Sequence, residues 1–220
     1  MAEQLSLNGT KAAIFDMDGT MVDDMAFHEK SYVVFCQRHN LKEVGSKEYK
    51  EKYSGKRNDE IFQGLLNKKL SQEQIEEFIE EKEQIYRDIY SPYVEEVEGL
   101  LDLVKFLRED NVNLALATTA PRKNKDFVLK KLRLEKVFDV VVVGEEVKKG
   151  KPDPEIYLIT AEKLNIEPEK CLVFEDSPPG VESAKRAGMK VIGILTTHSK
   201  EELQKADLVI NNFSELKLID

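Results

Sequence analysis

The chain predicts an α/β fold in which a parallel sheet, covered by helices on both faces, is interrupted by a helical insertion. Three observations predict it. Short apolar runs alternate with helix-length amphipathic stretches. Those runs are apolar almost without a break, as strands buried on both faces are. From Asp24 to about Tyr93 the alternation stops, and only charged, helical patterns remain.

The first strand is Ala12–Phe15, an apolar run that ends abruptly in Asp16, Asp18 and Gly19. The insertion begins just after this acidic group. Its last helix carries an apolar stripe of Ile75, Phe78, Ile79, Ile85, Tyr86 and Ile89 at helical spacing. Lys82 lies on the same stripe, where a lysine either runs its stem outward to water or reaches into a polar cavity. Further strands follow at Leu114–Ala117, Val140–Val143, Cys171–Phe174, Val191–Leu195 and Leu208–Ile210. Asp153-Pro154 reads as an N-cap with proline at the first helical position, which leaves Lys151 in a rigid loop ahead of a helix. The expectation is a Rossmann-like core of residues 1–22 and 94–220, with residues 23–93 as an inserted α-helical cap domain.

Composition narrows the function classes. The chain has 220 residues, 41% hydrophobic and 34% charged, enough to bury a core and unlike a disordered segment. A net charge of −9 argues against nucleic acid as the main partner, though not against a small anion in a locally basic pocket. Cys36 and Cys171 are the only cysteines, which suggests neither a disulfide framework nor a zinc site and points to a reducing cytoplasm. No basic-then-apolar leader opens the sequence, and no apolar run approaches a membrane span. The expectation is a cytoplasmic monomer with no nucleic-acid or membrane partner.

The chemistry sits at the predicted strand ends, where ligands of open α/β sheets bind. Asp16 and Asp18 repel each other unless a cation joins them, and a carboxylate beside a hard cation can attack phosphorus. An EF-hand is excluded, because counting from Asp16 the glycine falls at position four and positions six and twelve are Met21 and Phe27. Thr118 and Thr119 close the second strand with hydroxyls that could hold phosphate oxygens, or serve as a turn. Gly144 with Gly150-Lys151 nearly matches a phosphate loop, but the gap is one residue too long and Pro152 replaces the required hydroxyl. Glu175 and Asp176 form a second acidic pair at a strand end. Four carboxylates at one edge, with Lys151 and threonines at hand, favour an octahedral Mg²⁺ site for phosphate chemistry.

Asp16-Met-Asp-Gly-Thr20, then Thr118, Lys151 and Glu175-Asp176, in that order on α/β strands, resembles the haloacid dehalogenase superfamily. The helical insertion directly after the first motif is similar to its members with a small helical cap, the branch of β-phosphoglucomutase and many small-molecule phosphatases. The resemblance implies Asp16 as nucleophile, Asp18 as general acid and base, Thr118 with the following amide as phosphate binders, and Lys151 as the cation offsetting charge. It implies Asp176 as the direct metal ligand, Glu175 acting through water, and the Asp18 carbonyl completing the set with Asp16. For substrate binding it implies Thr119, His28, Arg57 in the loop Ser54-Gly-Lys-Arg-Asn58, and Lys82. One departure stands out: Asp24 takes a place where the branch usually has Ser or Thr, and its charge calls for a partner such as Lys82 or Arg57.

The function expected is therefore a Mg²⁺-dependent phosphatase of a small phosphorylated metabolite, a sugar or polyol phosphate, working through an aspartyl-phosphate. A hexose-phosphate mutase, an inorganic pyrophosphatase and a non-enzymatic phosphate-binding module are the alternatives.

Overall fold

The computed structural model describes residues 3–7, 9–42, 45, 58–66 and 69–219. Strand β1 (Glu3–Ser6) precedes β2 (Ala12–Phe15), and helices α1 (Met25–Arg38), α2 (Asn58–Leu66) and α3 (Gln72–Tyr90) follow. The remainder alternates: α4 (Leu100–Glu109), β3 (Asn113–Ala117), α5 (Arg122–Leu132), β4 (Val140–Val142), α6 (Glu155–Leu164), β5 (Cys171–Glu175), α7 (Pro178–Arg186), β6 (Lys190–Ile194), β7 (Leu208–Ile210) and β8 (Leu216–Ile219).

Six strands form one parallel sheet in the order β4-β3-β2-β5-β6-β7. The chain leaves β2 for β3 and β4, then returns to the other side of β2 with β5, so β2 lies at the switch point where such sheets open a crevice. Every residue of β2 and β5 is buried, which is why both runs are apolar from end to end. Phe15 stacks on Phe174 with ring centroids 4.7 Å apart, directly below the two strand ends that carry the acids. Ala12, Ile14, Ala115, Ala117, Val173 and Val191 share one core with Ile156, Tyr157, Val181 and Ala184 from α6 and α7.

The six predicted core strands are present, with boundaries shifted by at most one residue. Two strands were not predicted: β1 and β8 pair in parallel as a separate two-stranded sheet. A pair that short carries too few alternating residues to stand out as a pattern. The helix after Lys151 begins at Glu155, one residue later than predicted, and Pro154 rather than Asp153 takes the cap position, although Asp153 Oδ1 accepts from the Glu155 N–H at 3.1 Å.

Contacts divide the chain into two units, Met1–Asp23 with Val94–Asp220, and Asp24–Tyr93. Among its described residues the second is built of helices. Its α3 begins with a capping box, in which Ser71 Oγ accepts from Gln74 N at 3.2 Å and the Gln74 side chain accepts from Ser71 N at 3.1 Å. Tyr32, Phe35, Cys36, Ile61, Phe62 and Ile85 are its core. No helix among the described residues is long and apolar enough to cross a membrane.

Candidate active site

The parallel register fixes the first contacts. Phe15 lies opposite Phe174 in β5 and Leu116 in β3, so Asp16 falls level with Glu175 and just short of Thr118. The Asp16 N–H donates to the Phe174 carbonyl at 3.0 Å, which continues the ladder one residue past β2 and locks the acid in place. Asp16, Glu175 and Asp176 are all buried, and each offers a carboxylate oxygen within 4.8 Å of the others.

Lys151 binds this group together. Its ammonium donates to Asp16 Oδ1 at 2.7 Å and makes a short contact to Glu175 Oε1. Glu175 is saturated further: Tyr157 Oη donates to Oε1 at 3.2 Å, and Ser177 donates to Oε2 from its N–H at 2.9 Å and its hydroxyl at 3.0 Å. Asp176 accepts from Thr20 Oγ1 at 3.0 Å and makes a short hydrogen bond from Thr197 Oγ1.

Two glycines make the close approaches possible. Gly19 has φ +79°, and a Cβ there would sit 2.2 Å from Asp176 Oδ2. Gly180, in the first turn of α7, would place a Cβ 1.7 Å from Glu175 Oε1. Gly19→Ala and Gly180→Ala should each lower unfolding stability by about 1–3 kcal/mol, through overpacking against a buried carboxylate, with the left-handed backbone adding to the first. Urea unfolding checks this; midpoints equal to that of the unmodified chain would contradict the packing.

Electrostatics says what the group lacks. Burial, opposed in part by Lys151, pushes the Asp16 carboxyl up to about 8. Burial and the neighbouring charges of Glu175 and Asp16 push Asp176 well above the carboxylate range. Lys151 loses solvation by burial, yet Asp16 and Glu175 outweigh that and hold it charged. With all three acids ionised, the one ammonium would leave two negative charges unbalanced, which is what raises Asp16 and Asp176; the donors are oxygens, with a glycine-made gap beside Asp176. The residues therefore fit a hard divalent cation.

The other predicted residues divide sharply. Thr118 is buried and its Oγ1 accepts from Ala120 N at 3.0 Å, whereas Thr119 is exposed. The Asp18 carboxylate is half-buried and stands outside the group of three. Arg57 lies outside the described residues.

In the helical unit His28 and Lys82 are brought together: Lys82 Nζ lies 2.8 Å from His28 Nδ1 and donates to Glu83 Oε1 at 3.1 Å. Lys82 therefore turns inward rather than to water, and its ammonium sits 4.8 Å from the centre of the Tyr32 ring. His28 stacks on Tyr86 with centroids 3.9 Å apart. Asp24 receives a short hydrogen bond from Tyr86 Oη, the hydroxyl of an apolar-stripe residue, and His28 Nε2 lies 3.6 Å from its Oδ2.

Sequence reasoning missed Tyr157, Ser177, Thr196, Thr197 and His198. Thr196 Oγ1 makes a short hydrogen bond to the Gly19 carbonyl, and His198 Nδ1 lies 3.1 Å from the Asp176 carbonyl. A signal was present: Thr196-Thr197 closes β6 just as Thr118-Thr119 closes β3. Tyr157 gave none, because its period is that of any core aromatic on α6.

The comparisons with known proteins agree with this geometry. A family model described as haloacid dehalogenase-like hydrolase matches residues 13–194, from β2 through β6. A phosphorylated carbohydrates phosphatase of Thermotoga maritima is 37% identical over 186 residues, covering 83% of each chain. The crystal structure of a family IA, variant 3 haloacid dehalogenase hydrolase from Entamoeba histolytica superposes with a TM-score of 0.87 at 30% identity, covering 94% of this chain and 96% of that one. A β-phosphoglucomutase from Clostridium difficile superposes with a TM-score of 0.82 at 27% identity, covering 94% and 93%. With its acids at the ends of adjacent parallel strands, its lysine on the loop before α6 and this match across most of its length, the chain belongs to the haloacid dehalogenase-like hydrolase family.

Proposed function

We propose that the chain is a Mg²⁺-dependent phosphomonoesterase acting on a small phosphorylated metabolite of the sugar or polyol class. The observation that carries this reading is the Lys151 ammonium bound to Asp16 and Glu175 in a buried group of three acids. The name of the Thermotoga maritima relative, a phosphatase of phosphorylated carbohydrates, supports the substrate class.

In this reading Lys151 holds Asp16 by Oδ1, and the other carboxylate oxygen attacks phosphorus in line. The P–O bond to the alcohol breaks as the Asp18 carboxyl gives its proton to the leaving oxygen. Asp18, now a carboxylate, takes a proton from water, whose oxygen attacks the aspartyl-phosphate and releases inorganic phosphate and free Asp16. Thr118 and the amide after it hold equatorial phosphate oxygens. Asp16, Asp176 and the Asp18 main chain would hold the Mg²⁺, which when bound supplies charge stabilisation to the transferring group. We propose the helical unit as the cap that selects substrate, with Thr119 on the core and His28, Lys82 and Arg57 on the cap as contacts.

A second reading is a hexose-phosphate mutase, favoured by the likeness to β-phosphoglucomutase. A mutase must keep water from the phosphoenzyme until a sugar arrives. Asp24 weakens that reading, since a carboxylate tied to Tyr86 replaces a small neutral hydroxyl at the start of α1. With glucose 1-phosphate and a bisphosphate primer present, free phosphate should be the dominant product. Glucose 6-phosphate forming much faster than free phosphate in the same tube would establish the mutase instead.

A further inference from the structure

Helix α7 touches both Glu175 and the loop that carries Lys151. At its start, Ser177 and the space left by Gly180 seat the Glu175 carboxylate. One turn beyond Gly180, the wholly buried Ser183 donates its hydroxyl to the main-chain carbonyl of Asp153 at 2.7 Å. Arg186, a further turn on, donates to the Pro152 carbonyl at 3.3 Å.

The near side of the same loop is tied to α6. Glu155 Oε2 accepts from the N–H groups of Lys148 and Lys149 at 2.9 and 2.7 Å. Lys151 thus sits between two fixed stretches of backbone: residues 148 and 149 fastened by Glu155, residues 152 and 153 fastened by Arg186 and Ser183. Glu155 and Arg186 bind at the exposed surface, whereas the Ser183 hydroxyl is buried and the Asp153 it holds is half-buried.

Packing alone gives no reason for a hydroxyl there. Its inward-facing neighbours on α7, Val181 and Ala184, are apolar members of the core, and an alanine would fill nearly the same volume as Ser183. What the hydroxyl adds is a fixed distance between α7, which seats Glu175, and the loop whose lysine must reach both Glu175 and Asp16.

We propose that Ser183 is a positioning residue for Lys151: by clamping the Asp153 carbonyl to α7 it sets where the ammonium meets Asp16 and Glu175. The proposal rests on Lys151 acting as the cation of the phosphoryl-transfer reading. Small displacements of a charged group at a reacting centre cost rate steeply, and a carbonyl left without its donor shifts toward another.

The test is a double-mutant cycle on the full chain with Mg²⁺, using p-nitrophenyl phosphate so that slow variants remain measurable. Ser183→Ala should fold with the same circular dichroism and lower kcat about tenfold with KM little changed. In the Lys151→Met background, already slow, the same substitution should lower kcat less than about twofold, because the group it positions is gone. Equal fold losses in both backgrounds, or an unchanged kcat in Ser183→Ala, would overturn the proposal. Full activity in Lys151→Met alone would instead remove the phosphoryl-transfer role of Lys151, a separate failure.

Discussion

Asp16→Asn should yield a folded protein whose turnover is at least about four orders of magnitude below that of the unmodified chain. The amide matches the carboxylate in shape but lacks its nucleophilic charge. It also weakens the Lys151 ion pair, leaving that buried ammonium with Glu175 as its closest carboxylate. Asp18→Asn should be nearly as damaging to turnover for a different reason: the nucleophile is intact, so the aspartyl-phosphate still forms, more slowly without its acid, while its hydrolysis lacks the base. Mass spectrometry after mixing Asp18→Asn with substrate should therefore find the chain heavier by one phosphoryl group, and none in Asp16→Asn. Near-normal activity in well-folded Asp16→Asn would exclude the covalent route.

Chelation should abolish activity and Mg²⁺ should restore it, and the two acids at the end of β5 should differ in how they respond to substitution. Glu175 has both oxygens engaged by Lys151, Tyr157 and Ser177. Asp176 has a hydroxyl on each oxygen, from Thr20 and Thr197, which leaves lone pairs for a cation. Asp176→Ala should thus raise the half-saturating Mg²⁺ concentration by more than about 100-fold, against about tenfold for Glu175→Ala acting as an outer group. Glu175→Ala carries its larger penalty in stability, because it strips the buried Lys151 of one partner. A metal titration with the reverse order would reassign the direct ligand to Glu175.

Both predictions start from residues legible in the sequence. Asp16, Thr118, Glu175 and Asp176 were legible because each ends, or follows, an apolar run, and parallel strands carry their ends to one edge of the sheet, whereas Lys151, in a charged loop, was legible only through the family order of motifs. The cap residues were harder to read. A helical stripe identifies the buried face but not what a polar member of that face bonds to, so Lys82 was open between water and interior, and Asp24 had no visible route to Tyr86.

What the sequence determined by itself was periodicity and order: a parallel α/β core, a helical insertion after β2, and acids, hydroxyls and a lysine at the strand ends in family order. What only the tertiary structure decided was pairing across long separations. Lys151 meets Asp16 across 135 residues, Tyr157 reaches Glu175 from a helix, Thr197 reaches Asp176 from the loop after β6, and Ser183 holds the Asp153 carbonyl. The physical reason is that local propensity and hydrophobic pattern act over a few residues, so they fix elements and faces. A hydrogen bond between side chains far apart in the chain depends on strand order and register, which are set only when the whole sheet has closed.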